Sequence, residues 1–447
     1  MLQRFRMNGE YDVVVIGCGP GGSSAATFLA RTGKRVLVLE KGFFPRFHIG
    51  ESLLPYNTPI FREMGVLPKL QQGPFVRKFG AQFELGNGSL RTRFVFRHGR
   101  FNCEPEAIQV ERAAFDHLLM RHARDCGAEI REGWTAMKTV SSPEGVTVEA
   151  RGPDGQIHAF QCAYLIDASG RTNLTGNQEN LREMHPQWKK MSIFGHFENV
   201  ARAPGEAGSD TVIVRLENKW FWLIPIGENK TSAGLVMDKA EFSAATDDPA
   251  EIFQKWVDAS PRLKEMMAGA RLVGSLQTTT DFSYYNRSFI GERLLRVGDA
   301  AGFLDPIFSS GVYLAMWSGR LAAGVIEKSL LRGRPLPRLF AGYEKRLRKA
   351  FLFYWRVVDN YYTTPFMELF LQPRDHYDLP SAVNAVLAGQ IEGGWQLRWR
   401  LRYFWLLVKL QKRWPLVPRI SFAPQPRRRA NDTELPRQDT MAQTVKS

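Results

Sequence analysis

The chain has few cysteines, no long apolar run and, toward one end, no acidic residues. Each shortage excludes something. The four cysteines, Cys18, Cys103, Cys126 and Cys162, are scattered over 447 residues without a CxxC pair. They read as reduced structural thiols, with neither a disulfide framework nor a metal site. No stretch reaches the roughly 18 consecutive apolar residues that a membrane-spanning helix needs. Met1–Glu10 contains Arg4 and Arg6 but no apolar segment, so no signal peptide is expected and the chain is expected to be cytoplasmic. Between Gly393 and Asn431 there is no acid against ten bases: Arg398, Arg400, Arg402, Lys409, Lys412, Arg413, Arg419, Arg427, Arg428 and Arg429. Most of the formal net charge of +15 therefore sits near one end. That pattern points to a local partner surface and away from nucleic-acid binding. No internal repeat is present. Apolar content of 44% and charged content of 23% are ordinary for a globular chain, and the length suits about two or three domains.

The first informative segment is a β-branched run from Asp12 to Ile16, followed at once by Gly17-Cys18-Gly19-Pro20-Gly21-Gly22. Ser23 to Arg31 is small and alanine-rich, and Val36 to Leu39 forms a second apolar strand ending in Glu40. This is a βαβ unit. Its glycines allow a tight turn and a close backbone approach to a pyrophosphate, the helix N-terminus supplies amides, and Glu40 suits a ribose hydroxyl pair. Further strands are expected from Arg77 to Cys103, Gly133 to Gly170 and Phe194 to Met237. Helices are expected from Glu111 to Cys126, from Gly311 to Leu331 and from about Glu344 onward.

Three segments decide between flavin and nicotinamide. Gly298-Asp299-Ala300-Ala301-Gly302 resembles the second FAD fingerprint of the p-hydroxybenzoate hydroxylase superfamily, whose aspartate holds the ribityl chain. Leu165-Ile166-Asp167-Ala168-Ser169-Gly170-Arg171 and Gln109-Val110-Glu111-Arg112 resemble two other elements of that superfamily, in its order. The fold class implied is α/β: a Rossmann-like FAD-binding domain interleaved with a β-sheet substrate domain, plus a helical C-terminal cap. The core is expected over 10–350, with FAD segments at about 10–55, 109–175 and 285–330 and the substrate sheet at about 75–105 and 190–285. The cap is expected over 351–423 and a disordered tail over 424–447. No second strand-GxGxxG-helix unit is found, which argues against a built-in NAD(P)H domain.

Four stretches narrow the superfamily. They are Phe44 to Pro55, containing Gly50-Glu51-Ser52; Lys78 to Phe83; Trp220-Phe221-Trp222-Leu223-Ile224-Pro225; and Phe303 to Gly311. Together they resemble the flavin-dependent halogenases, in the branch that acts on phenols and pyrroles. The resemblance implies FAD, supplied as FADH2 by a separate flavin reductase, with O2 and chloride or bromide as co-substrates. It places FAD binding on Gly17, Gly19, Gly21, Gly22, Glu40, Lys41, Glu51, Arg112, Asp299 and Val312. It places halide on Ser310 and Gly311. Hypohalous acid formed at the flavin would travel to Lys78, which would either form a chloramine or donate a hydrogen bond that makes the halogen more electrophilic, for chlorination or bromination, and Trp220 and Trp222 would keep the substrate from the flavin. No metal is implied.

Other readings of the same residues are open at this point. Ser309 or Ser310 could be a plain helix cap, Lys78 a surface lysine on an edge strand, and the tryptophan segment a core strand. For Lys78 to act as an amine, desolvation must depress its pKa; its neighbour Arg77 should point to the opposite face of the strand. Tryptophan halogenases carry a glutamate where this chain has Phe308, which puts free tryptophan in doubt as substrate. A general base is unassigned, with His98 and His122 candidates by residue type alone. The alternative activities are an FAD monooxygenase or geranylgeranyl-reductase-like enzyme, or a docked flavoprotein without halogenating activity. The dense aromatics from Phe351 to Phe370 read as a packed cap. The basic segment 395–429 reads in three ways: a solvated face, a peripheral membrane contact, or a surface for an acidic acyl or peptidyl carrier protein bearing the aromatic substrate.

Overall fold

The computed structural model describes residues 10–102, 104–185, 189–280 and 283–423. The expected disordered tail and Cys103 lie outside the described residues; Cys18, Cys126 and Cys162 are free thiols. Two sheets organise the molecule. In the first, Tyr11–Ile16 lies between Val36–Glu40 and Ile157–Asp167, parallel to both. Leu294–Arg296 and Glu129–Glu132 extend this parallel core on either side. Such a strand is covered on both faces, and Val13, Val14 and Val15 are fully buried. The helix Pro20–Arg31 starts directly after Gly19, earlier than its alanine-rich stretch suggests, because proline is tolerated in a first helical turn.

The second sheet has seven strands among the described residues, drawn from 80–95, 190–238 and 271–280. Trp220–Pro225 sits inside it, antiparallel to both Thr211–Arg215 and Lys230–Asp238. All six of its residues are buried. Side chains alternate across a strand: Trp220, Trp222 and Ile224 face the large core shared with the first sheet. Phe221 and Leu223 pack with Ile252, Phe253 and Val257 on the other side. The molecule is thus α/β with interleaved FAD and substrate segments, as expected.

Five helices, Ser310–Leu331, Pro337–Tyr361, Thr364–Leu371, Leu379–Ala388 and Trp395–Arg413, complete the described chain. The expected core–cap division at 350/351 falls inside Pro337–Tyr361, whose Leu347, Phe351 and Tyr354 are buried continuously across it. No helix among the described residues is long and apolar enough to cross a membrane.

Candidate active site

The glycine turn after Tyr11–Ile16 opens one end of a cavity of about 470 Å³ between the two sheets. Gly17 has φ +94°, and a Cβ there would lie 2.4 Å from the Ala168 carbonyl oxygen. At Gly19 the nearest atom to such a Cβ is 3.9 Å away, so the backbone faces open space where a pyrophosphate can approach. Gly21 lines the cavity, whereas Gly22 packs behind the turn against Gly17 and does not. Glu40, at the end of the second strand, accepts hydrogen bonds from the Cys18 and Gly42 amides at 2.7 and 2.9 Å. Lys41 reaches Thr172 Oγ1 at 3.1 Å beside it.

Further along the same cavity, Arg112 is ion-paired to Asp116 at 2.7 Å and donates to the Ile49 carbonyl. It therefore braces the turn before Glu51. Glu51 accepts from His196 Nε2 at 2.6 Å. The Asp299 carboxylate faces the cavity without a hydrogen-bond donor among the described residues. Burial pushes its pKa up to about 6, against the opposing pull of Arg171 and Arg112. An acceptor held in the wall of a cavity with no protein donor suits a ligand polyol. With the open approach at Gly19 and the carboxylate at Glu40, these residues fit FAD.

The cavity continues past Val312 to Ser310 and Gly311. Ser309 takes a left-handed conformation, φ +54°, and the helix begins at Ser310 with no side-chain cap, so the helix-cap alternative is not realised. First-turn amides lack intrahelical partners and carry the positive end of the helix dipole. A Cβ at Gly311 would meet nothing within 4 Å. These amides border open space that suits a small anion.

Trp220 and Trp222 also line the cavity, their ring centroids 6.0 Å apart. Trp222 donates to Ser232 Oγ at 3.1 Å. Trp220 donates to Tyr362 Oη at 2.9 Å, and Tyr362 donates to Asp305 Oδ2 at 2.7 Å. Tyr362 follows the helix Pro337–Tyr361, and Asp305 stands in the turn before Ser310. One hydroxyl therefore links cap, tryptophan wall and helix start.

Lys78 lies outside the cavity wall and is 2% exposed, which excludes a surface lysine. It ends the short strand Val76–Lys78, where Arg77 is exposed and paired with Glu106 on the other face. Lys78 Nζ donates to Ser52 Oγ at 2.8 Å and the Leu53 carbonyl at 3.1 Å, with the Phe96 ring 5.3 Å away. Ser52 and Thr211 line the cavity and lie 2.7 Å apart; Thr211 donates to Gln109 Oε1 at 2.8 Å. Gln109 is held in turn by donating to the Ser209 carbonyl. Lys78 is one hydrogen bond from the cavity. Burial lowers its pKa to about 7. The nearby Asp210 pulls the other way, but its carboxylate is engaged by Arg93 at 2.6 Å.

Neither histidine candidate reaches the cavity. His98 is exposed, and His122 bonds the Met64 carbonyl at 3.0 Å. Among the described residues no cluster of His, Cys, Asp or Glu could hold a metal. Ser52, Thr211, Gln109, Asp305 and Tyr362 were not singled out from the sequence. Ser52, Gln109 and Asp305 stand inside motifs quoted from the sequence and Tyr362 inside its aromatic-dense segment, whereas Thr211 had no local signal.

The class is set by residues 10–360, which match the model of the FAD binding domain family. Among curated proteins the chain is 32% identical over 376 residues to a 1H-pyrrole-2-carbonyl peptidyl-carrier-protein chlorinase of Pseudomonas fluorescens, covering 79% of this chain and 84% of that one. It is also 32% identical over 357 residues to a tryptophan 2-halogenase of Chondromyces crocatus, covering 78% and 67%. The solved structure of the flavin-dependent brominase Bmp2 superposes with a TM-score of 0.80 at 27% identity, covering 90% of this chain and 99% of that one. The chain belongs to the flavin-dependent halogenases. It is an FAD enzyme that uses halide, and these relatives do not favour the monooxygenase and reductase alternatives.

Proposed function

We propose that the chain halogenates a phenol- or pyrrole-like ring at Lys78, at a distance from the flavin. FAD held by the glycine turn, Glu40 and Asp299, and reduced by a separate flavin reductase, supplies with O2 the oxidising equivalents. Halide waits at the Ser310 and Gly311 amides and is converted to hypohalous acid. Lys78 Nζ takes the halogen from that acid, releasing water, and passes it to the ring while recovering its proton. Trp220 and Trp222 fill the wall where a substrate would otherwise meet the flavin.

The observation that carries this reading is the burial of Lys78 one hydrogen bond from the cavity. A desolvated amine near neutrality is a nucleophile, whereas an exposed lysine is not. Incubating Lys78→Ala with FADH2, bromide and a phenol probe should abolish brominated phenol by mass spectrometry while O2 consumption continues. Unchanged product would overturn the role of Lys78.

The substrate reading is supported by the relatives' names and by Phe308. Position 2 of tryptophan lies in the pyrrole part of the indole, so the tryptophan relative is compatible with a pyrrole-like ring even without the glutamate. For partners, the helix Trp395–Arg413 buries Leu397, Leu401, Phe404, Trp405 and Val408 against the cap. Most of its apolar side chains are thus engaged, Trp395, Leu406 and the following Trp414 are exposed singly, and Arg398, Arg402, Lys409, Lys412 and Arg413 are exposed. A bilayer-lying helix needs a free apolar face. This arrangement supports an acidic carrier protein as the partner over membrane insertion.

A further inference from the structure

A second cavity, of about 250 Å³, lies within the cap. Its walls are Phe94 of the strand Arg91–Val95 and, from three cap helices and the segments beside them, chiefly Phe370, Leu379, Val383, Phe404 and Leu407. No acidic side chain lines it among the described residues, while Arg374 and His376 do. An apolar cavity of roughly 150 Å³ holds a benzene, so this one has room for a longer hydrocarbon group.

Its position relative to Lys78 gives the cavity meaning. Phe94 and Phe96 stand two residues apart, about 7 Å along the chain, on either side of Val95, where the strand ends and the turn Phe96–His98 begins. Phe94 walls the cavity, and Phe96 covers Lys78 Nζ. The helix Leu379–Ala388, which supplies Leu379 and Val383, is pinned at that corner. Asn384 donates to the Val95 carbonyl at 2.7 Å, and Asn102 bridges Asn384 to the Phe96 carbonyl. A hydrocarbon chain in the cavity would end beside the residues that enclose Lys78.

We infer that this cavity holds an apolar alkyl chain borne by the aromatic substrate. The inference rests on the reading of Lys78 as the halogenating residue. Calorimetric titration of the full-length FAD-bound enzyme with para-alkylphenols from ethyl to octyl tests it by binding alone. Affinity should rise about fourfold per methylene until the cavity fills, then level off. Val383→Trp should remove that rise while leaving the ethylphenol affinity unchanged. Leu407→Trp, at a half-buried position with less risk to folding, should do the same. Affinity independent of chain length, or a rise that survives both substitutions, would overturn the inference. Lys78-dependent bromination of phenol would stand in either case, so a failed chain site is distinguishable from a failed Lys78.

Discussion

A neutral lysine amine has two protons and one lone pair, and at Lys78 both protons have acceptors: Ser52 Oγ and the Leu53 carbonyl. The lone pair is what remains for chemistry. Because burial lowers the folded pKa to about 7 from an ordinary 10.5, the unfolded chain binds one more proton than the folded one between those values. Stability attributable to this residue therefore rises with pH across that window, and the destabilisation is fully present below it. Lys78→Met should raise Tm at pH 7, and the gain should shrink toward pH 10. Thermal unfolding over a pH series checks this, and a gain independent of pH would contradict it. Halogen transfer should increase as pH rises through about 7, when the amine loses its third proton.

At the scale of elements, the tryptophan strand depends on its neighbour. Trp222 pairs with Gly234 of Lys230–Asp238, and its ring lies across that glycine. A Cβ at Gly234 would sit 2.2 Å from Trp222 Cζ2. Gly234→Ala therefore forces the indole aside, at a cost of about 1–3 kcal/mol for overpacking. Denaturant unfolding should show that loss, and mass spectrometry of the products should show more directly oxygenated phenol relative to brominated phenol. A variant of native stability and product ratio would mean the indole position is immaterial. Alternation along Trp220–Pro225 was legible from the residues themselves. The glycine that accommodates the ring was not, because it stands on the next strand and only register brings it opposite.

For the molecule as a whole, the cap does more than cover the core. Tyr362 places a hydroxyl between Trp220 and Asp305, so the tryptophan wall and the turn before the helix start are both tied to the cap. The outer helix of the same cap presents the basic face proposed for a carrier. Arg398→Glu combined with Arg402→Glu should slow turnover of a carrier-tethered pyrrole several-fold and flatten its salt dependence, because the loss is electrostatic. Turnover of a free phenol should be unaffected. Equal loss on both substrates would reject docking at this face.

The amino-acid sequence by itself determined the cofactor end of this protein. Gly17 to Gly22 and Glu40, proposed to hold FAD, lie in the turn and strand end of one βαβ unit, so their spacing is their geometry. The helix start at Ser310 and Gly311 was legible for the same reason. Tertiary structure alone decided the surroundings of Lys78. Whether Lys78 is a solvated cation or a buried amine depends on Ser52, Phe96 and Thr211, which converge from separate strands and loops. The same holds for Tyr362 at Trp220, 142 residues away, and for the cavity behind Phe94. Desolvation is a property of what surrounds a side chain in space, and linear order does not specify it.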